Sequence, residues 1–119
     1  METLITAVLD ENGRLTPKNI AKYFHTELAE VLEITGVPES AASKRARIYS
    51  VSNQTRMREV LEIINQVEPW TGNSQAAWAW YRSEPLPAFG NVTAESLVRS
   101  GHTKALKAFL NGIAVGGFA

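Results

Sequence analysis

Apolar side chains recur along this chain three and four residues apart, the spacing that gathers them on one face of a helix. The clearest case is residues 54–68, where Met57, Val60, Leu61, Ile64 and Val67 follow the i, i+3, i+4, i+7 pattern and Pro69 is expected to end the helix. Upstream, Thr16 followed by Pro17 reads as an N-cap with proline at the first helical position, opening a helix to about Phe24 that buries Ile20 and Phe24. A second helix over about residues 26–34 places Leu28, Val31 and Leu32 together, and the Thr35-Gly36-Val37-Pro38 break follows it. Ser40 is suited to cap a third, running to about Arg47, with residues 49–53 as a connection. Downstream, helices are expected over about residues 74–82, 93–100 and 102–115. The first carries Trp78, Trp80 and Tyr81, Thr93 caps the second, and Gly116-Gly117 stops the last. Residues 1–9 read as extended or irregular, and no strand pair with a hairpin turn stands out. The expected fold is therefore all-α, with about seven short helices.

Composition narrows the class. The chain has 119 residues, of which 45% are hydrophobic and 20% charged, ordinary values for a single globular unit. It has no cysteine, which removes disulfides, thiolate metal sites and a cysteine nucleophile, and its two histidines, His25 and His102, are too few for a histidine metal cage. No apolar run approaches the roughly 20 residues that span a bilayer, and Met1-Glu2-Thr3 lacks a basic leader region, so the expected compartment is the cytoplasm. Net charge is zero, but its distribution is uneven: residues 40–58 hold five bases and no acid, whereas residues 59–98 hold five acids and Arg82 alone.

Three constellations carry candidate chemistry. The first is helix–turn–helix-like: two short helices meet at Gly36, and the second presents Ser40, Ser43, Lys44, Arg45 and Arg47, with Arg56 beyond it, small polar groups and cations of the kind that contact DNA. The alternative is a solvated basic face, and the spacing from Ala29 to Gly36 exceeds the usual alanine–glycine spacing of such motifs. The second is the run Trp78-Ala79-Trp80-Tyr81-Arg82-Ser83-Glu84-Pro85-Leu86-Pro87-Ala88-Phe89-Gly90, in which four aromatics lead into a loop stiffened by two prolines. Core packing and a protein interface both use such rings. The third is Gly116-Gly117-Phe118-Ala119, a thin segment with one ring and, at its end, a carboxylate, which is either a frayed end or an insert for a partner's anion-binding cleft. Catalysis has little support: no phosphate-cradling glycine loop or metal-ligand spacing is present, Glu27, Glu30 and Glu33 suit a solvated face better than an acid–base pair, and neither a cofactor nor a metal is expected.

Residues 80–90, followed by Asn91-Val92-Thr93-Ala94-Glu95-Ser96-Leu97-Val98-Arg99-Ser100-Gly101, resemble the C-terminal toxin-binding domain of the Xre/MbcA/ParS antitoxins. The ending Leu110-Asn111-Gly112-Ile113-Ala114-Val115-Gly116-Gly117-Phe118-Ala119 fits the same pattern, and Gln54-Thr55-Arg56-Met57-Arg58-Glu59-Val60-Leu61-Glu62-Ile63-Ile64-Asn65 is similar to the segment upstream of it. The resemblance implies a non-enzymatic protein that neutralises a RES-type toxin, one that degrades NAD or transfers its ADP-ribose, by covering the toxin's NAD cleft. It implies toxin contact by Gly116, Gly117, Phe118 and Ala119 at that cleft, and by Arg82 and Glu84. It also implies a helix–turn–helix in the N-terminal half that represses the operon. The expected division is a helix–turn–helix-like region over 1–68 and a toxin-binding region over 69–119. A homodimer is expected, with Leu61 and Ile64 as candidates for its surface. A stand-alone transcriptional regulator is the rival reading.

Overall fold

The computed structural model describes residues 4–116. Eight α-helices follow one another: α1 (Leu4–Val8), α2 (Pro17–Phe24), α3 (Leu28–Thr35), α4 (Arg45–Ile48), α5 (Val51–Thr71), α6 (Ser74–Ser83), α7 (Ala94–Arg99) and α8 (Thr103–Gly116). Single 3-10 turns interrupt the chain at Glu39–Ala41 and Pro87–Phe89. Among the described residues the only extended pairings are the isolated bridges between Leu9 and Leu15 and between Leu86 and Val92. The fold is thus all-α, as the periodicity predicts, with α1 as the addition. Among the described residues no helix is long and apolar enough to cross a membrane.

The 21-residue α5 is the axis of the molecule. Ser50 starts it by accepting a hydrogen bond on its side chain from the Asn53 N–H. Its expected apolar residues Met57, Val60, Leu61, Ile64 and Val67 are all buried, and so is Ile63 beside them. The stripe is therefore wider than one neighbour can cover, and α1, α3, α4, α6, α7 and α8 all pack against this helix. One buried cluster runs from Leu4 through the α5 stripe to Leu110. Burying each such aliphatic side chain contributes about 1.5–3 kcal/mol.

The polar links between α5 and α8 fix their direction. Lys107 pairs with Glu62, and the Gln66 amide donates to Asn111 Oδ1 at 2.6 Å. Both steps run forward along the chain, so α8 lies parallel to α5, with its last turns at the Gly72 end.

Local chemistry accounts for several boundaries. Thr16 Oγ1 accepts from the Asn19 N–H at 3.1 Å and Pro17 occupies the first turn, as the sequence predicts for the start of α2. That helix ends on His25, whose φ of 56° places it in the left-handed region where its N–H reaches the carbonyls of Ala21 and Lys22. Gly36, at φ 77°, ends α3.

Four expectations need correction. Residues 4–8 are helical, not extended: Leu4 and Val8, one turn apart, are both buried, and five residues are too few for periodicity to register. Residues 51–53 belong to α5 and not to a connection. Pro69 does not end α5: its fixed φ suits a helix, and its missing N–H removes a single intrahelical bond, the one to the Asn65 carbonyl; the helix stops at Gly72, φ 100°. The expected boundary at 68/69 therefore lies inside a continuous helix. Leu61 and Ile64 cannot form a dimer surface, since both are fully buried in the core.

Leu61→Ala is expected to lower unfolding free energy by about 3 kcal/mol through lost burial and an unfilled cavity. Chemical denaturation followed by circular dichroism measures it, and a loss below about 0.5 kcal/mol would place this residue outside the well-packed core.

Candidate functional site

The segment that carries the family resemblance folds around one arginine. α6 starts at Asn73, whose side chain accepts from the Ala76 N–H at 2.7 Å, and its buried face carries Ala77, Trp78 and Tyr81. Trp80 is half-buried against the same core. Arg82, next on the helix, turns toward α3 and α7. Its guanidinium lies 2.8 Å from Glu33, 3.0 Å from Glu95 and 3.7 Å from Glu30. Arg99 extends the cluster by donating to Glu95 at 2.8 Å and to the Glu33 carbonyl at 3.1 Å. Three helices distant in sequence are thereby tied by charge-assisted hydrogen bonds.

Burial sharpens these contacts. Glu95 is only 8% exposed, and its two oxygens are shared between Arg82 and Arg99. The Trp78 indole N–H donates to Glu30 at 2.6 Å, and the Thr26 hydroxyl donates to the same oxygen at 2.9 Å. The indole hydrogen bond chiefly, then the hydroxyl and the Arg82 charge, hold the Glu30 carboxyl below its ordinary range against the opposing effect of burial. The Arg82 guanidinium is pushed up, first by its hydrogen bond to Glu95. Tyr81 lies fully buried, with no hydrogen-bond partner for its hydroxyl among the described residues, and burial, then the nearby Glu95 charge, push its ionisation well above the ordinary value. Glu30 and Glu33 do not form a purely solvated face, as the sequence suggests; they are the α3 half of this joint.

Beyond α6 the chain makes a tight loop. Glu84 is exposed at its start. The Leu86 N–H donates to the Val92 carbonyl at 2.9 Å, and the Asn91 N–H donates back to the Leu86 carbonyl at 2.9 Å. Gly90 and Asn91, at φ 79° and 68°, both take left-handed backbone to close it. Leu86 anchors the loop in the core, and the Phe89 ring meets Phe109 of α8 edge-on at 5.3 Å. Thr93 then caps α7 by accepting from the Ser96 N–H at 3.1 Å, as expected.

Along α8, Leu106 and Leu110 are buried and Ile113 is half-buried against the core, while Val115, on the opposite side of the helix from Leu106, is 89% exposed. Gly116, the last described residue, is still helical. Gly117, Phe118 and Ala119 lie outside the described residues.

The second candidate region is the basic segment. Ser40, Ser43, Lys44, Arg45, Arg47 and Arg56 are all exposed. The α-helix expected over 40–47 is not formed. Ser40 sits inside the 3-10 turn instead of capping a helix, and the α-helical part is α4 alone, four residues long. Successive three-residue closures, Ala41 N–H to Pro38 O, Ala42 N–H to Glu39 O and Lys44 N–H to Ala41 O, take the place of a continuous ladder. Ser43 and Arg45 line a groove of about 860 Å³ between the start of α2 and α4. Arg56 is elsewhere, donating to the Gly36 carbonyl at 3.2 Å beside a smaller cleft of about 430 Å³ that Arg99 also lines.

Sequence reasoning names Arg82 but not its partners. Glu33 and Glu95 lie 49 and 13 residues away, separations at which no local pattern operates. The one available signal is the i, i+3 spacing of Glu30 and Glu33 on the helix flank adjoining buried Val31 and Ile34.

Arg82→Ala is expected to cost about 1–2 kcal/mol, allowing for a side chain one-quarter exposed, because it leaves Glu95 short of a partner. A depressed carboxyl stabilises the fold above its unfolded value and loses that contribution as pH falls through the folded one. Acid unfolding should therefore weaken the protein progressively below pH 4.5, the ordinary Glu30 value. Glu30→Gln should flatten that decline, and an unchanged acid profile in this variant would remove Glu30 from the joint.

No family model matches the chain, and neither a curated protein nor a solved structure is found to match it.

Proposed function

We propose that this chain is the antitoxin of a RES-type toxin–antitoxin pair, a cytoplasmic, non-enzymatic protein that binds its toxin and occludes the toxin's NAD cleft. The observation that carries this reading is the ordered run from Trp80 to Gly101 together with the α8 ending, the residues on which the resemblance rests. The geometry is in keeping with it. That run is a unit fastened to the common core, in which Tyr81, Leu86, Ala94 and Leu97 are buried and Phe89 seats on α8. A unit of this kind can present a rigid surface to a partner at little cost in ordering.

Inhibition on this reading is steric. Residues 116–119, which follow α8 in sequence, enter the toxin cleft on this reading, where the two glycines keep the segment thin and Phe118 is its apolar anchor. Glu84, exposed at the loop, contacts the rim. Arg82 contributes from behind, since its guanidinium is committed to Glu33 and Glu95 and holds α6 and α7 in place.

The same protein represses its own operon on this reading, as a homodimer that pairs through a surface other than Leu61 and Ile64. What favours DNA contact is the set of exposed cations Lys44, Arg45 and Arg47 around one short turn. The second reading, a stand-alone transcriptional regulator without a toxin partner, rests on that set alone.

Co-purification with the product of the adjacent gene, followed by NAD loss with and without this chain, tests the proposal: a stable complex and suppressed NAD loss are expected. Removing residues 116–119 should weaken suppression and leave the circular dichroism spectrum unchanged, whereas full suppression by the shortened chain would refute insertion of the tail. No complex and undiminished NAD loss would leave the regulator reading in its place.

A further inference from the structure

The basic stretch is wider in space than in sequence. Tyr49, directly after α4, anchors the turn that precedes α2: its hydroxyl donates to Asp10 and accepts from Asn12 Nδ2 at 3.1 Å. That staple brings Arg14 over the Tyr49 ring, with 6.0 Å between the guanidinium carbon and the ring centroid. Lys18, one residue into α2, lines the same 860 Å³ groove as Arg45 and Tyr49. Arg14, Lys18, Lys44, Arg45 and Arg47 are all exposed.

The charge balance of this region favours anions. Of the five cations only Lys18 and Arg45 line the groove, together with Asp10, Glu11 and Glu39, so the excess of positive charge comes from Arg14, Lys44 and Arg47 outside the lining. The Asp10 carboxylate is already engaged by the Tyr49 hydroxyl and by the N–H groups of Asn12 at 2.8 Å and Arg14 at 2.9 Å. The N-terminus of α2 opens on the same side and adds partial positive charge. Leu28 and Ala42 line the groove as well. Apolar area beside cations suits a sugar–phosphate chain better than a free anion.

The geometry also limits what can be read. α4 has four residues, so it is about 6 Å long, half the width of a major groove. Arg45 and Arg47 are two apart on that turn and diverge. Such a turn can straddle phosphates but cannot lay a row of side chains along base edges.

We infer that Arg14 and Lys18 form, with Lys44, Arg45 and Arg47, one surface that binds the sugar–phosphate backbone of duplex DNA with little discrimination of sequence. The inference rests on the DNA contact in the proposed function, not on selection of its own operon, and gives that contact a mode: phosphates held from two segments about thirty residues apart in sequence that the Tyr49 staple holds together.

Fluorescence anisotropy across a salt series tests this with the full chain and two labelled probes, a random-sequence duplex of about two helical turns and one of equal length from upstream of the chain's own gene. The two affinities should agree within about threefold. Arg14→Ala/Lys18→Ala should bind about tenfold more weakly at low salt, with a log–log salt slope shallower by about 2, as loss of two phosphate contacts requires. Arg14→Lys/Lys18→Arg should restore both, which separates charge from any effect on folding.

An alanine variant with unchanged affinity and slope would overturn the inference. So would strong preference for the upstream duplex, or displacement of the duplex by inorganic phosphate at constant ionic strength, which would mark a free-anion pocket. A variant that keeps DNA affinity but no longer suppresses toxin-driven NAD loss would assign the surface to the toxin instead. If the unaltered chain binds neither duplex, the DNA reading falls as a whole, while suppression of NAD loss still decides the antitoxin reading.

Discussion

Leu61, Ile63 and Ile64 sit fully dry at the middle of α5, and the arrangement of the surrounding helices follows from that burial. A helix with apolar residues on so much of its circumference cannot remain at a surface; it has to be enclosed. Six other helices supply the enclosure, and each gains its own stability mostly from the side it turns inward. The four-residue α4 and five-residue α1 are too short to persist alone, so their shape is borrowed from α5. The basic turn is therefore only as well defined as the Ile48 contact and the Asn53 and Gln54 side-chain bonds that fasten it.

Polar chemistry has a different task here. The Arg82 cluster joins α3, α6 and α7 where the apolar core thins toward the surface. Its net energetic contribution is modest, because desolvating Glu95 offsets much of what its two arginines return. Its geometric value is larger: a guanidinium with three carboxylates around it allows few alternative arrangements of the helices that carry them. Trp78 reinforces the selection, since its ring packs 4.6 Å from Phe24 while its N–H is committed to Glu30.

How much of this could be read from the chain depended on the range of each interaction. The Thr16 and Thr93 caps act over three residues and were legible directly. α5 was legible because one period repeats along it. α1 was not, having a single pair of buried residues to announce it. Positions 40–47 misled because Ser40 and the alanines satisfy a cap-and-helix pattern that the backbone resolves as a series of 3-10 closures. Periodicity marks Leu61 and Ile64 as part of an apolar face without saying what covers it, so their burial in the core is not legible from the chain. The candidate site was less legible than the fold: the exposure of the basic residues followed from their chemistry, but the partners of Arg82 and the approach of Arg14 to Tyr49 arise only when distant segments meet. Of the four tail residues, only Gly116 falls within the described part.

The parallel course of α5 and α8 has a consequence for how two partners share the molecule. The basic turn lies just before the first residue of α5, while α8 ends beside its last. Twenty-one helical residues separate those ends by about 30 Å. On the proposed reading, α5 acts as a strut that keeps nucleic acid and toxin at opposite poles. Neither occupant then has to leave for the other to bind, and a ternary assembly is sterically open. Any antagonism between the two has to travel along the packed helices and not through overlap of the two footprints.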